Sequence, residues 1–323
     1  MKAATRTKYG GPKVIQITEL EKPVPKPDEI LVKVHAATVN RTDCAVLRGI
    51  PFVMRFFTGL FGPKSPILGT DFAGVIAAIG DDVTAFEVGE KIFGFQDNGL
   101  SSHAEYLTIS EDSAFSTMPE LATFEEAVAS LEGFHYAYNF INKTNLNSYH
   151  SALVNGASGA IGSAALQLSK YYGAHVTAVC GSNSIDRIKS LGADRVIDFQ
   201  KEDFTKNGES YDFIFDTVGK SSFAKCKPIL KPGGIYISSE LGFMGQNVFL
   251  ALFRPFLGSR KVLFPMPVNV GGSIDFAKDL IRQGKFKPLI DRTYPLDEAA
   301  EAFCYVERGK KIGNVVLQIG KDE

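Results

Sequence analysis

The chain has 323 residues, 45% of them hydrophobic, with 35 basic residues against 36 acidic ones and a formal net charge of -1. That length predicts two domains, each large enough to bury its own core, and the charge balance, with no Lys/Arg-rich run, excludes the electrostatic footprint of a nucleic-acid-binding protein. The opening Met1–Arg6 has no apolar stretch, and no run of about 18 apolar residues occurs anywhere. A cytoplasmic protein without firm membrane association is expected. Cys44, Cys180, Cys226 and Cys304 lie far apart with no CxxC pair, so no local cysteine zinc knot is predicted, and the thiols are expected to be reduced and structural.

The first 120 residues are rich in Gly, Pro and β-branched runs. Strands are predicted at 14–17, 30–34 and 74–80, each bounded by turn residues. The texture changes near residue 123, where Thr123 followed by Glu125 and Glu126 suits a helix N-cap and acidic first turn. Then follow a strand at 152–155, a Gly-rich turn, a helix at 161–172 and a strand at 175–180. Next come a helix at 185–191 and strands at 195–198, 211–216 and 234–238. Strands alternating with helices at this pitch predict right-handed βαβ units and a doubly wound parallel sheet. A last strand, 312–319, is expected to return to the first domain and make it discontinuous. The predicted division is 1–122 with 290–323, against 123–289.

The strand-to-helix turn Val154-Asn155-Gly156-Ala157-Ser158-Gly159-Ala160-Ile161-Gly162 is the most informative local feature. Small residues let the backbone approach a pyrophosphate, whose charge meets the N–H groups of a helix N-terminus. Ala157 stands where the strict GxGxxG fingerprint has its first Gly. A tight turn of an α/β sheet would look similar, but the strand before, the helix after and a second strand about twenty residues on are the context of a dinucleotide site. Ala157, Ser158, Gly159, Ala160 and Ile161 are its predicted contacts. The second strand ends in Cys180-Gly181-Ser182-Asn183 with no acid for a ribose 2′-hydroxyl. Gly181, Ser182, Asn183 and Arg187 are therefore expected to receive a 2′-phosphate, favouring NADPH over NADH. The alternative for Arg187 and Lys189 is a solvated helix face.

Five motifs carry a family resemblance: Leu68-Gly69-Thr70-Asp71-Phe72-Ala73-Gly74-Val75, Gly89-Glu90-Lys91-Ile92-Phe93-Gly94, the Gly-rich turn, Leu191-Gly192-Ala193-Asp194-Arg195-Val196-Ile197-Asp198, and Phe215-Asp216-Thr217-Val218-Gly219. In this order, over nearly the whole chain, they resemble the medium-chain dehydrogenase/reductase superfamily, and within it the zinc-independent quinone oxidoreductase branch. The resemblance implies an α/β fold in which a GroES-like β-rich domain, built from both chain ends, accompanies a Rossmann domain with the active site in a cleft. It adds Val218 and Leu241 to the cofactor contacts and implies a homodimer. The zinc ligands of the alcohol dehydrogenase branch match Asn40 and Thr70 here, neither a thiolate nor an imidazole, so no zinc is expected. What remains is hydride delivery from NADPH to a quinone or an α,β-unsaturated carbonyl, with the developing oxyanion held by hydrogen bonds. The alternative is a member that binds NADPH but senses or scaffolds.

Three residues are candidates for polar contacts with the reacting groups. Asn40 resembles the Asn beside the nicotinamide in quinone oxidoreductases, and equally suits a loop cap. His135 falls at a family cleft position and is expected to titrate near neutrality, with a structural role as its alternative; Tyr136 is a second donor. A family Tyr is replaced by Ala45, and another by Phe199. Two segments, 50–62 and 243–257, hold eight of the 25 Phe. They are expected to wall an apolar pocket for a lipophilic quinone, enone or alkenal, to serve in core or dimer packing, or to make a peripheral membrane contact, for which Arg55, Arg254, Arg260 and Lys261 are few basic residues.

Overall fold

The computed structural model describes residues 1–239, 246–252, 259–265 and 268–320. In chain order the first stretch holds β1 (Lys2–Thr5), β2 (Gln16–Glu19), β3 (Glu29–Val39), α1 (Arg41–Arg48), α2 (Arg55–Thr58), β4 (Asp71–Ile79), β5 (Lys91–Phe95), β6 (Tyr106–Ser110), β7 (Phe115–Thr117) and α3 (Phe124–Ala129). Then come α4 (Glu132–Ile141), β8 (Ser151–Asn155), α5 (Ala160–Tyr171), β9 (His175–Cys180), α6 (Ile185–Ser190), β10 (Arg195–Asp198), β11 (Tyr211–Asp216), α7 (Phe223–Cys226), β12 (Leu230–Ser238), α8 (Gln246–Leu252) and β13 (Lys261–Leu263). The chain closes with α9 (Val270–Arg282), β14 (Ile290–Pro295), α10 (Ala299–Glu307) and β15 (Asn314–Gln318).

Two compact units result, Met1–Leu131 with Val270–Glu323, and Glu132–Asn269. The boundaries read from the sequence, after 122 and after 289, differ because two helices side with the first unit. The buried face of α3, Phe124 with Ala127, Val128 and Ala129, packs on β3, β4 and β15. Helix α9 packs on β7 and β5, and the Lys278 ammonium donates to the Thr117 hydroxyl at 2.6 Å.

The first unit is built on β3. It pairs antiparallel with β4, with β6 and with β15, in a seven-stranded sheet ordered β14-β15-β3-β4-β5-β7 with β6 on β3. Its second half is buried without alternation, as expected of a strand covered on both faces. One core gathers Ile30, Val32, Val34, Phe72, Ile76 and Ile92; another sets Leu47 of α1 against Phe303 and Val306 of α10. The strand expected at 14–17 begins only at Gln16. Pro12, with its fixed φ and missing N–H, opens a short 3-10 turn over Pro12–Val14 instead.

In the second unit six strands run in the order β10-β9-β8-β11-β12-β13, every neighbouring pair parallel. Counted from β8, this is the 3-2-1-4-5-6 order of a Rossmann sheet. The order reverses between β8 and β11, so loops leaving the carboxyl ends of those two strands border the crevice where such sheets bind ligands.

The turn into α3 carries a measurable share of stability. Thr123 Oγ1 accepts from the Glu126 N–H at 3.2 Å, and Glu126 Oε2 accepts from the Thr123 N–H at 3.3 Å, a reciprocal capping box. T123A should lower stability by about 1 kcal/mol and T123S by much less, read as urea midpoints; an unchanged midpoint in T123A would show that the cap contributes nothing.

Candidate functional site

In the first unit a buried polar cluster forms where β3 ends and β4 begins. Asn40 is the N-cap of α1: its Oδ1 accepts from the Asp43 N–H at 2.8 Å, and Asp43 Oδ2 accepts from the Asn40 N–H at 3.0 Å. The cap reading of Asn40 therefore holds for its oxygen. Its amide nitrogen turns the other way and donates to Thr70 Oγ1 at 2.8 Å. Thr70 is itself 2% exposed. The two residues at the zinc-ligand positions thus hydrogen-bond to each other. A carboxamide and an alcohol do not fit a zinc ion, which takes thiolate, imidazole or carboxylate.

Behind this pair lies Asp71, fully buried. Its carboxyl accepts from the Thr38 N–H at 2.6 Å and from the Thr38 hydroxyl at 2.5 Å. Desolvation outweighs both bonds and raises the Asp71 pKa to about 7. The His103 ring meets the Thr38 carbonyl at 2.9 Å through Nε2, and burial lowers its pKa to about 4. Neither Asp71 nor His103 was singled out from the sequence as a site residue; the Asp next to a motif Thr was the available signal for the first.

In the second unit the Gly-rich turn is tight and closely packed against the start of α5. Gly156 adopts φ 85°, a left-handed conformation open to Gly, and the amides of Gly156 and Ala157 bond to the Val179 carbonyl at 3.1 and 3.0 Å. A Cβ on Gly162 would lie 2.1 Å from the Gly156 carbonyl oxygen, so the helix can approach the turn only with Gly there. Gly159 caps α5 with no side chain. The predicted contacts Ser158 and Ile161 are half-buried, and Ala157 and Ala160 are buried. This backbone suits a dinucleotide pyrophosphate.

Asp216, at the end of β11, faces this turn across the point where strand order reverses. Its carboxylate accepts from Asn155 Nδ2 at 3.0 Å, the Tyr236 hydroxyl at 2.9 Å, and the amides of Gly219 and Ser221 at 3.1 and 3.2 Å. The Thr217 hydroxyl donates to the Asn155 carbonyl at 2.8 Å. Together these bonds fix the loop that carries Val218. In the sequence Asp216 stands only within the motif Phe215–Gly219; its role shows once the Gly219 and Ser221 amides are seen to fold back onto it.

The loop after β9 is tied to the strand beside it. Asn183, Arg187 and Lys189 are exposed and Gly181 is buried. The Ser182 hydroxyl lies within hydrogen-bond distance of Asp198 Oδ2 at 2.5 Å and of Gln200 Oε1 at 2.9 Å. The first of these bonds holds the Asp198 carboxyl below its ordinary range. An acid absent from the end of β9 is thus supplied by β10, whose Asp198 stands in register with Cys180. Beside it an open cavity of about 670 Å³ is lined by Phe199, Gln200, Lys201, Lys220 and Lys225, among others.

His135 and Tyr136 sit on α4 of the second unit, whereas Asn40 belongs to the first. His135 is 1% exposed, and desolvation lowers its pKa to about 4. The neutral-range titration expected of it does not hold, because burial penalises the imidazolium. Its carbonyl accepts from Asn139 Nδ2 at 2.9 Å. Tyr136 is half-buried with its ring 5.8 Å from that of His135. Phe52, Phe56, Phe57 and Phe61 are 59%, 62%, 75% and 99% exposed, forming a surface rather than an enclosed wall. Phe249 is 59% exposed, while Leu241, Phe243, Phe253 and Phe256 lie outside the described residues. Among the described residues no group of three or more His, Cys, Asp or Glu is arranged to hold a metal ion, and no helix is long and apolar enough to cross a membrane.

Comparison with known proteins gives this geometry its class. Residues 26–133 match the alcohol dehydrogenase GroES-like domain and residues 191–317 match the zinc-binding dehydrogenase family. A chloroplastic quinone oxidoreductase of Triphysaria versicolor is 30% identical over 98% of both chains. A 2-methylene-furan-3-one reductase of Solanum lycopersicum is also 30% identical, over 98% of this chain and 79% of its own. The quinone oxidoreductase of Coxiella burnetii superposes with a TM-score of 0.88 at 25% identity, covering 99% of each chain. The protein is an oxidoreductase with a GroES-like and a Rossmann unit. It belongs to the quinone oxidoreductase-like branch of the medium-chain dehydrogenase/reductase superfamily.

The buried pair Asp71 and His103 gives the first unit opposing pH responses. Between about pH 4 and pH 7 the folded chain keeps a proton on Asp71 that the unfolded chain has released, so stability from this group falls as pH rises through that window. His103 runs the other way: the unfolded ring binds a proton up to its ordinary 6.5 that the folded ring refuses above about 4, so stability rises across that span. D71N removes only the falling component. Its urea midpoint should therefore climb more steeply than that of the wild type between pH 4 and pH 7; parallel profiles would show that Asp71 is not held protonated by burial.

Proposed function

We propose that the protein is an NADPH-dependent reductase that adds hydride to a quinone or to the β-carbon of an α,β-unsaturated carbonyl. The observation that carries this reading is the Asn40–Thr70 hydrogen bond at the positions where zinc enzymes of the superfamily hold their metal. With a hydroxyl and an amide there in place of metal ligands, the polar service the site offers is hydrogen bonding. That suits an oxygen that gains negative charge as a conjugated system is reduced. The names of the relatives agree, one being a quinone oxidoreductase and another a 2-methylene-furan-3-one reductase.

Residues of the chain divide the work. The 157–161 backbone would hold the pyrophosphate at the start of α5, with Gly156 and Gly162 keeping the turn tight and Val218 beside it. When bound, the reduced nicotinamide supplies the hydride. Thr70 accepts the Asn40 N–H, which leaves its own hydroxyl hydrogen to donate to the substrate oxygen. Asn40, capping α1 with its oxygen, keeps Thr70 in that rotation. Thr38, bound to Asp71, backs the pair. A proton then completes the reduction at the α-carbon or the quinone oxygen, and Tyr136 or water is its source.

Preference for the phosphorylated cofactor rests on charge. Arg187 and Lys189 are exposed on α6, and Asp198 is engaged by the Ser182 hydroxyl and by Lys201 at 3.6 Å. Lys201, Lys206, Lys220 and Lys225 further tilt the lining of the adjoining cavity positive against Glu202 and Asp203.

The test is NADPH oxidation against a panel of quinones and enones. The expected result is turnover with kcat/KM higher for NADPH than for NADH. T70V should lower kcat about a hundredfold, the size of losing one oxyanion donor, without changing the Kd for NADPH, and T70S should retain most of the rate. Saturable NADPH binding with no turnover on any acceptor would instead favour a sensing or scaffolding role.

A further inference from the structure

The segment 50–61 turns Phe52, Val53, Phe56, Phe57, Leu60 and Phe61 to solvent, each between 39% and 99% exposed. Contiguous apolar exposure on this scale marks an interaction surface. It does not come from a slack backbone. The Tyr9 hydroxyl donates to the Gly59 carbonyl at 2.6 Å and lies 2.8 Å from the Thr58 hydroxyl, while Arg55 Nε donates to the Gly49 carbonyl at 3.1 Å. Lys64 N–H closes the turn on the Thr58 carbonyl at 2.8 Å. Phe52 and Phe56 meet edge to face at 6.0 Å. The scaffold is tied down and its rings point outward.

Charge decides what fits there. Residues 1–18 and 44–70, the two stretches joined through Tyr9, contain no Asp or Glu and seven Lys or Arg. Three of the seven are committed: Lys2 to Asp297, Arg48 to Glu307, and Arg6, buried, to the Val46 carbonyl. Arg55 lies over the Tyr9 ring at 4.5 Å, its guanidinium at the base of the Phe cluster. Lys8, Lys13 and Lys64 are exposed. Glu307 is engaged by Arg48, and Asp43 by the α1 cap. A second copy docked through the same patch by a two-fold axis would set these like charges against each other. An anionic lipid surface takes both halves, because aromatic rings enter the boundary between headgroups and acyl chains while lysines meet the phosphates.

We propose that the 50–61 segment, with Lys8 and Lys64 at its rim, is a docking surface for an anionic lipid bilayer. It stands independently of which acceptor the enzyme reduces. The test is flotation of the full chain with phosphatidylcholine vesicles containing about 30 mol % phosphatidylserine, against phosphatidylcholine alone. Binding is expected to the anionic vesicles and to weaken when NaCl rises from about 0.1 to about 0.5 M. F57E/F61E should weaken it at least about tenfold, and K8E/K64E should remove about tenfold of the phosphatidylserine-dependent part, with urea midpoints near wild type in both. The chain has no Trp, so F57W reports directly: its emission should shift to the blue on anionic vesicles. Absence of flotation, flotation indifferent to F57E/F61E, an unshifted F57W spectrum, or a dimer in sedimentation velocity that F57E/F61E dissolves would each overturn the proposal.

Discussion

Asn40 can satisfy its side chain only by tying three elements together. Its oxygen caps α1, its nitrogen reaches Thr70 at the entry to β4, and its own backbone ends β3. Because the group is 3% exposed, each unmade bond would carry the desolvation cost of a buried polar atom. The bonds are therefore coupled. Rotating Asn40 toward a ligand would uncap the helix, and losing Thr70 would leave its amide only the longer bond to Thr38 Oγ1 at 3.5 Å. This constraint fixes how Thr70 is held at the entry to β4, beside Thr38 and the buried Asp71.

The second unit obeys a matching rule at its own centre. Strand order reverses between β8 and β11, and the seam is stitched by Asn155 donating to Asp216 and Thr217 donating back to the Asn155 carbonyl. These bonds, with those of the Gly219 amide, hold the Gly156–Gly162 contact and the Thr217–Gly219 loop in one arrangement. A pyrophosphate-binding turn gains affinity from such preorganisation, since little conformational freedom is lost on binding. Gly156 shows the same economy of space: a Cβ there would fall 2.4 Å from Val218.

Much of the second unit was legible in the sequence, and for a physical reason. Buried parallel strands read as continuous apolar runs, so His175–Cys180, Arg195–Asp198 and Tyr211–Asp216 fall where the pattern places them. Thr123 was readable as a cap because capping is local chemistry. Elements decided by tertiary packing were not readable: α3 and α9 join the first unit through faces that no local signal assigns. Side-chain pairings were the least accessible. Ser182 looked free to meet a phosphate because Asp198, sixteen residues away, reaches it only through strand register. His135 looked titratable because burial, which drives it neutral, is invisible in a linear string. The Phe-rich segment 50–62 showed its composition but not its exposure.

The proposed reaction passes hydride from the cofactor to carbon while a hydrogen bond steadies the substrate oxygen. Incubating the enzyme with an enone and NADPH deuterated at both C4 positions of the nicotinamide, then locating the label in the product by mass spectrometry and NMR, tests it most directly. The prediction is one deuterium at the β-carbon and none at the α-carbon. A reduced product without deuterium, or with it at the α-carbon, would contradict the mechanism.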